Sequence, residues 1–138
     1  MSKTTLTRNE ISQLGRALMN ELAGRVEVAK DGDGKTLGLI LVPYDFTGKA
    51  IYATALSLNA IRGEVDAINL RIKREREAAK IKDNEPLPAE LEGELLKFLS
   101  ETVEVELTKT GIEGIKVEKN KLDPRVVAAL MPMLDGEI

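Results

Sequence analysis

The chain has no cysteine and no histidine. Without cysteine there is no disulfide, no thiolate nucleophile and no thiolate zinc site. Without histidine the commonest metal ligand is missing, and so is the side chain that titrates unperturbed near neutrality. Ser-His-Asp and Cys-His catalysis cannot be assembled within this chain. An enzyme would have to use carboxylates, a perturbed Lys, or Tyr44 and Tyr52. The expectation is therefore a non-enzymatic protein with no cofactor and no metal. Aromatic residues are only 3%, so the core must be aliphatic and platforms for stacking bases are scarce. No run approaches the ~18 apolar residues of a transmembrane helix, so no membrane partner is expected. The opening MSKTTLTRNE lacks an apolar signal core, which implies a cytoplasmic location.

What is present points to one globular domain over residues 1–138. Hydrophobic residues make up 43% and charged residues 31%, a balance that buries a core. The net charge of -3 argues against coating long nucleic acid through bulk charge.

The first helix is announced by three local signals. Thr7 and Glu10 have capping-box spacing, and Leu6 and Ile11 are placed as a hydrophobic staple. Ile11, Leu14, Leu18 and Leu22 form its apolar face, with Met19 beside it, and Gly24 is placed to end it in a left-handed conformation. A hairpin follows. Val26 and Val28 alternate with charged residues, and DGDG at 31–34 turns the chain. Leu37, Leu39, Ile40, Leu41 and Val42 return as the more hydrophobic strand, expected to be the inner one. A calcium-loop reading of DGDG fails, because Val42 stands where a bidentate Glu is needed.

The longest periodic stretch runs from Thr47 to Lys82 and reads as one helix of roughly 50 Å. Ile51, Ala55, Leu58, Ile61, Val65, Ile68 and Ile72 make a continuous stripe along it. Leu56, Ala60, Ala67 and Leu70 add a second apolar rail. A stripe of this length fits either a core helix or a seam between chains, and two rails imply two neighbours. Homo-oligomerisation through the 51–72 stripe is the expectation. Between the rails lies a polar row, Asn59, Arg62, Asp66 and Asn69, with Tyr52 one turn above. It could line a ligand pocket with Arg62 as the anion contact, or be plain surface, or fix register between chains. From Arg71 to Lys82 the helix turns basic, with Arg71, Lys73 and Arg74 among six cations against two glutamates. That segment carries +4 and the remainder -7. It could bind phosphate on a small nucleotide, or be a solvated helix end with internal ion pairs.

A connector at 82–88, with two prolines, separates this helix from a shorter one carrying Leu91, Leu95, Phe98 and Leu99. TVEVELT is a clean alternating strand with Val103, Val105 and Leu107 on its buried face. Ile115 and Val117 offer a fourth strand. Asp123 and Pro124 open a last helix, stapled by Leu122 and Val127. The order predicts an α+β fold, with a small antiparallel sheet of about four strands packed with one long helix and three shorter ones.

Four stretches, LILVPYDF, IYATALSLNAIRGEV, ELLKFLSETVEVEL and LDPRVVAALMPMLD, give the chain a further aspect. From Leu39 onward it resembles a family of small uncharacterised proteins encoded by tailed bacteriophages. The resemblance brings no catalytic residues. It implies a phage origin, a non-enzymatic role and the host cytoplasm. It leaves two expectations: a binding protein that counters host defence by sequestering a small signalling nucleotide or blocking a host protein, or an assembly accessory of the phage particle.

Overall fold

The computed structural model describes residues 2–22, 24–82 and 85–135. The fold is α+β. Strand β1 (Ser2–Thr7) leads into helix α1 (Arg8–Arg16), which loosens into a π-turn over Ala17–Glu21. The hairpin β2 (Arg25–Lys30) and β3 (Thr36–Val42) precedes the long helix α2 (Gly48–Ala78). Helix α3 (Ala89–Ser100), strand β4 (Thr102–Leu107) and strand β5 (Thr110–Gly111) follow. A short α4 (Val117–Asn120), helix α5 (Pro124–Leu130) and strand β6 (Leu134–Asp135) complete the order.

The strands do not form one sheet. They make three separate two-stranded ladders: β1 with β4 antiparallel, β2 with β3 antiparallel, and β5 with β6 parallel. Strand β1 was not expected. Its register sets Leu6 opposite Val103 and Thr4 opposite Val105, so the apolar side of TVEVEL gains a partner of mostly polar composition. The expected strand at Ile115 and Val117 is instead a 3₁₀ turn (Ile112–Ile115) running into α4. Lys116 and Lys121 take left-handed φ values of 47° and 52°, which coil this segment too tightly for a ladder.

The capping signals hold. Thr7 Oγ1 accepts from the Glu10 amide at 3.1 Å and Glu10 Oε1 accepts from the Thr7 amide at 2.9 Å. Leu6 and Ile11 are both buried. Asp123 caps α5 with Pro124 at its first position. Gly24 does not end α1 in a left-handed cap. The π-turn closes first, through the Leu22 amide and the Ala17 carbonyl, and Gly24 (φ 147°) lets the chain pass the Val42 carbonyl, where a Cβ would sit 2.5 Å from that oxygen. Helix α2 ends in a Schellman motif: Lys80 (φ 57°) donates to Glu77 and Ile81 to Arg76. The middle of the 82–88 connector, residues 83–84, lies outside the described residues.

One hydrophobic cluster joins α1, α2, β1, β4, the 3₁₀ turn and α5, with Ile11, Leu14, Ile61, Ile68, Leu107, Ile115 and Leu130 fully enclosed. At the crossing of α1 and α2, Gly15 lies against Val65. A Cβ on Gly15 would meet Val65 Cγ2 at 2.6 Å, so the helices approach closely only because that position lacks a side chain. Gly15→Ala should lower unfolding free energy by about 1–2 kcal/mol through overpacking, although the same change in an open helix raises stability. Urea unfolding of the single variant and of Gly15→Ala with Val65→Ala checks this. The second change should recover part of the loss if the contact is the cause.

Candidate functional site

Helix α2 is seated at its start by a polar joint. Thr47 Oγ1 accepts from the Ala50 amide at 3.2 Å, and the Thr47 amide donates to the Gly114 carbonyl at 2.9 Å. Asn120 is buried below it. Its Oδ1 accepts from the Asp45 amide at 2.8 Å, and its Nδ2 donates to the carbonyls of Ile115 at 2.8 Å and Asp45 at 3.1 Å. The Asp45 carboxylate accepts from Lys119 and from Lys116, the latter at 3.1 Å. These hydrogen bonds, Lys119 foremost, hold Asp45 below its ordinary pKa of 3.8. About two turns beyond Ala50, buried Ser57 exchanges two 3.1 Å hydrogen bonds with the Thr108 backbone.

This seating decides which face of α2 remains free. The residues turned inward are Ala50, Ala53, Ser57, Ile61, Val65 and Ile68. Of the stripe expected to join chains, Ile61, Val65 and Ile68 are buried in the chain's own core, while Leu58 and Ile72 are half-buried against it. Only Ile51, 56% exposed, and Ala55 face outward. The stripe as drawn is therefore a core stripe over most of its length. Its first turns were misplaced because close packing against Gly114, whose Cβ would lie 3.2 Å from that of Ala50, selects small residues over the larger Ile51.

The residues expected to bind a ligand divide in two. Tyr52, Asn59, Arg62, Asp66 and Asn69 all lie exposed on the outer side of α2. Arg71 is turned elsewhere. Its guanidinium lies 4.6 Å from the centre of the Phe98 ring, and its Nε donates to Glu75 at 3.1 Å. Arg8 approaches the same ring at 4.3 Å, so Phe98 gathers two cations and ties α3 to α1 and α2. Lys73 pairs with Glu77 at 4.0 Å. Arg76 donates to the carbonyls of Lys82 and Glu85 at 2.7 and 2.9 Å, closing the connector. Arg74 is exposed. The basic segment is thus largely engaged with its own helix end, the bland alternative of the sequence reading.

The surface that sequence reasoning missed is the hairpin. Strand β3 was expected to be inner, yet Leu37 is 69% exposed and Leu39 72%, with Ile40 and Leu41 also exposed. Among the described residues, strand β3 is paired on one edge only, to β2. Its apolar residues stand on both faces, as the period of two requires. The tip is pre-formed: Asp31 Oδ1 accepts from the amides of Asp33 and Lys35, each at 2.9 Å, an Asx turn with Gly34 at φ 78°.

Two clefts lie elsewhere among the described residues. A groove of about 480 Å³ between α1 and α5 is lined by Gln13, Arg16, Asp123 and Arg125. An open depression of about 560 Å³ lies over Lys116, Val117 and Lys119. None of the eight candidate ligand residues lines either. Among the described residues there is no cluster of carboxylates placed to hold a metal, and no helix is long and apolar enough to cross a membrane. Compared with known proteins, the chain matches no family, no curated protein and no solved structure.

The joint below α2 is open to measurement. Asn120→Ala should cost about 2–3 kcal/mol, since it removes the hydrogen bonds to Asp45 and Ile115 and leaves buried backbone groups unmatched. Denaturant unfolding reads that loss. Asp45 should titrate below 3.8 by carboxyl NMR and move back towards that value in Lys119→Met. A carboxylate held below its unfolded value adds stability above that value and loses it as pH falls through the folded one, so the Lys119→Met difference should shrink in strongly acidic buffer.

Proposed function

We propose that this chain is a phage-encoded, non-enzymatic binding protein that acts as a homo-oligomer in the host cytoplasm and counters host defence by blocking a host protein. The observation that carries the reading is strand β3, with Leu37, Leu39, Ile40 and Leu41 exposed beside a strand edge that pairs with no other strand among the described residues. An exposed apolar edge is a hazard that proteins ordinarily blunt. Kept open, it fits strand addition, in which a partner's sheet edge supplies main-chain hydrogen bonds and pockets take alternate side chains. The absence of Cys and His from the sequence supports a role without turnover. The exposed position of Tyr52, Asn59 and Arg62, outside either cleft, favours protein blockade over enclosure of a nucleotide by one chain.

The test is plating of phage, with and without this gene, on hosts carrying individual defence systems. The intact gene should raise plating on at least one such host. Leu39→Glu with Leu41→Glu should abolish the gain while circular dichroism stays unchanged, because both side chains are already solvated. No gain on any host, an undiminished gain with the double variant, or stoichiometric recovery of the protein from purified virions would each overturn the reading. The last would assign it to the particle.

A further inference from the structure

We infer that the outer face of α2 packs antiparallel against the same face of a second copy, about a two-fold axis passing beside Gly63. The inference rests on the oligomeric part of the reading above and not on the host partner. At about 100° per residue, Gly63 falls in the middle of the exposed side of α2, directly away from the buried Ile61, Val65 and Ile68. A Cβ built on Gly63 meets nothing within 4 Å, so its lack of a side chain serves no contact among the described residues, while a glycine in mid-helix is unfavourable. Close approach of another helix is what such a position permits.

The pattern around Gly63 complements itself. With two copies antiparallel and Gly63 against Gly63, Leu56 meets the partner's Leu70, and Tyr52 meets the partner's Arg74, an aromatic with a cation. Further out, Lys49 reaches the partner's Glu77. On one flank Arg62 comes level with the partner's Asp66, offset by about 3 Å along the axis from the helical rise, and symmetry makes that ion pair twice. Within one chain Arg62 and Asp66 stand four apart yet form no ion pair or hydrogen bond among the described residues, and the order Arg-then-Asp is the weaker one on a single helix. Across the two-fold axis each finds the charge it lacks. A parallel pairing would instead place Arg62 and the partner's Asp66 on opposite flanks of the seam, where they cannot pair. The contact runs the length of a helix of 31 residues. At ~1.5 Å per residue and about 11 Å of width it covers ~500 Å² per copy, near the lower bound of a specific dimer. The dimer is therefore concentration-dependent.

Sedimentation velocity over a concentration series tests this with the full chain. The wild type should pass from monomer to dimer. Gly63→Leu should weaken the dimer by about tenfold or more by wedging the seam. Arg62→Asp and Asp66→Arg should each weaken self-association by about tenfold or more, since each sets like charges together twice. An equimolar mixture of the two charge variants should dimerise again, because every cross-chain pair is then opposite in sign. That rescue needs no variant to be more stable than another. A wild type that stays monomeric at millimolar concentration would overturn the inference, and so would a dimer indifferent to Gly63→Leu or a charge-variant mixture that stays apart. Protection of phage by a strictly monomeric protein would overturn this inference together with the oligomeric part of the preceding reading, and leave blockade of a host protein standing. A wild-type dimer that passes every test here but protects no phage would overturn the preceding reading alone.

Discussion

Everything in this structure depends on how closely other elements can come to the first half of α2. The residues it turns inward there are Ala50, Ala53 and Ser57, small enough for Gly114 and the end of β4 to lie almost against the helix backbone. Ser57 then hydrogen-bonds the Thr108 backbone through both its donor and its acceptor, a match that a larger or apolar side chain could not make. Further along, Ile61, Val65 and Ile68 take over and face α1 across Gly15. One helix thus changes its neighbour from strand to helix midway, and its side chains change size to suit.

That arrangement fixes what is left outside. Because the core lies on one side only, most of the opposite side of α2 is exposed, with Leu56 half-buried, and so is the polar row between its rails. The other open surface has a different cause. Strand β3 is apolar, yet Leu37, Leu39, Ile40 and Leu41 stay exposed among the described residues, so they add little to this core. The basic end of α2 is quieter than its charge implies, because Arg71 and Arg76 are drawn to Phe98 and to the connector carbonyls.

What could be read from sequence was whatever is decided locally. The capping box at Thr7 and Glu10, the Asp123–Pro124 start and the alternation at Val103, Val105 and Leu107 are statements about neighbours in sequence, and the structure bears them out. The α+β class followed from the order of such elements. Strand β1 was invisible because Lys3, Thr4 and Thr5 carry no alternation of hydrophobicity, and only pairing with β4 makes them a strand. The inner face of α2 was drawn through Ile51 because periodicity weighs a large residue above a small one, whereas close packing ranks them the other way. For the candidate site, the positions of Asn59, Arg62 and Asp66 on one exposed row were legible from the 3.6-residue period. The diversion of Arg71 was not, since Phe98 lies 27 positions away. The hairpin was seen as a hairpin, but its apolar strand was equated with a buried one, and composition alone cannot tell a strand that faces a core from one that awaits a partner.

The Asx turn at Asp31 has a thermodynamic consequence. A two-stranded ribbon with exposed apolar residues is only marginally stable by itself, and its tip is held by the two amides on the Asp31 carboxylate and by backbone hydrogen bonds between Asp31 and Lys35 and between Gly34 and Asp31. The ribbon can therefore fray while the cluster around Ile61 and Leu107 stays closed, as a separate unit of local stability. On the proposed reading a partner laid along β3 would supply that cover, and ordering of the segment and binding along it would become a single equilibrium.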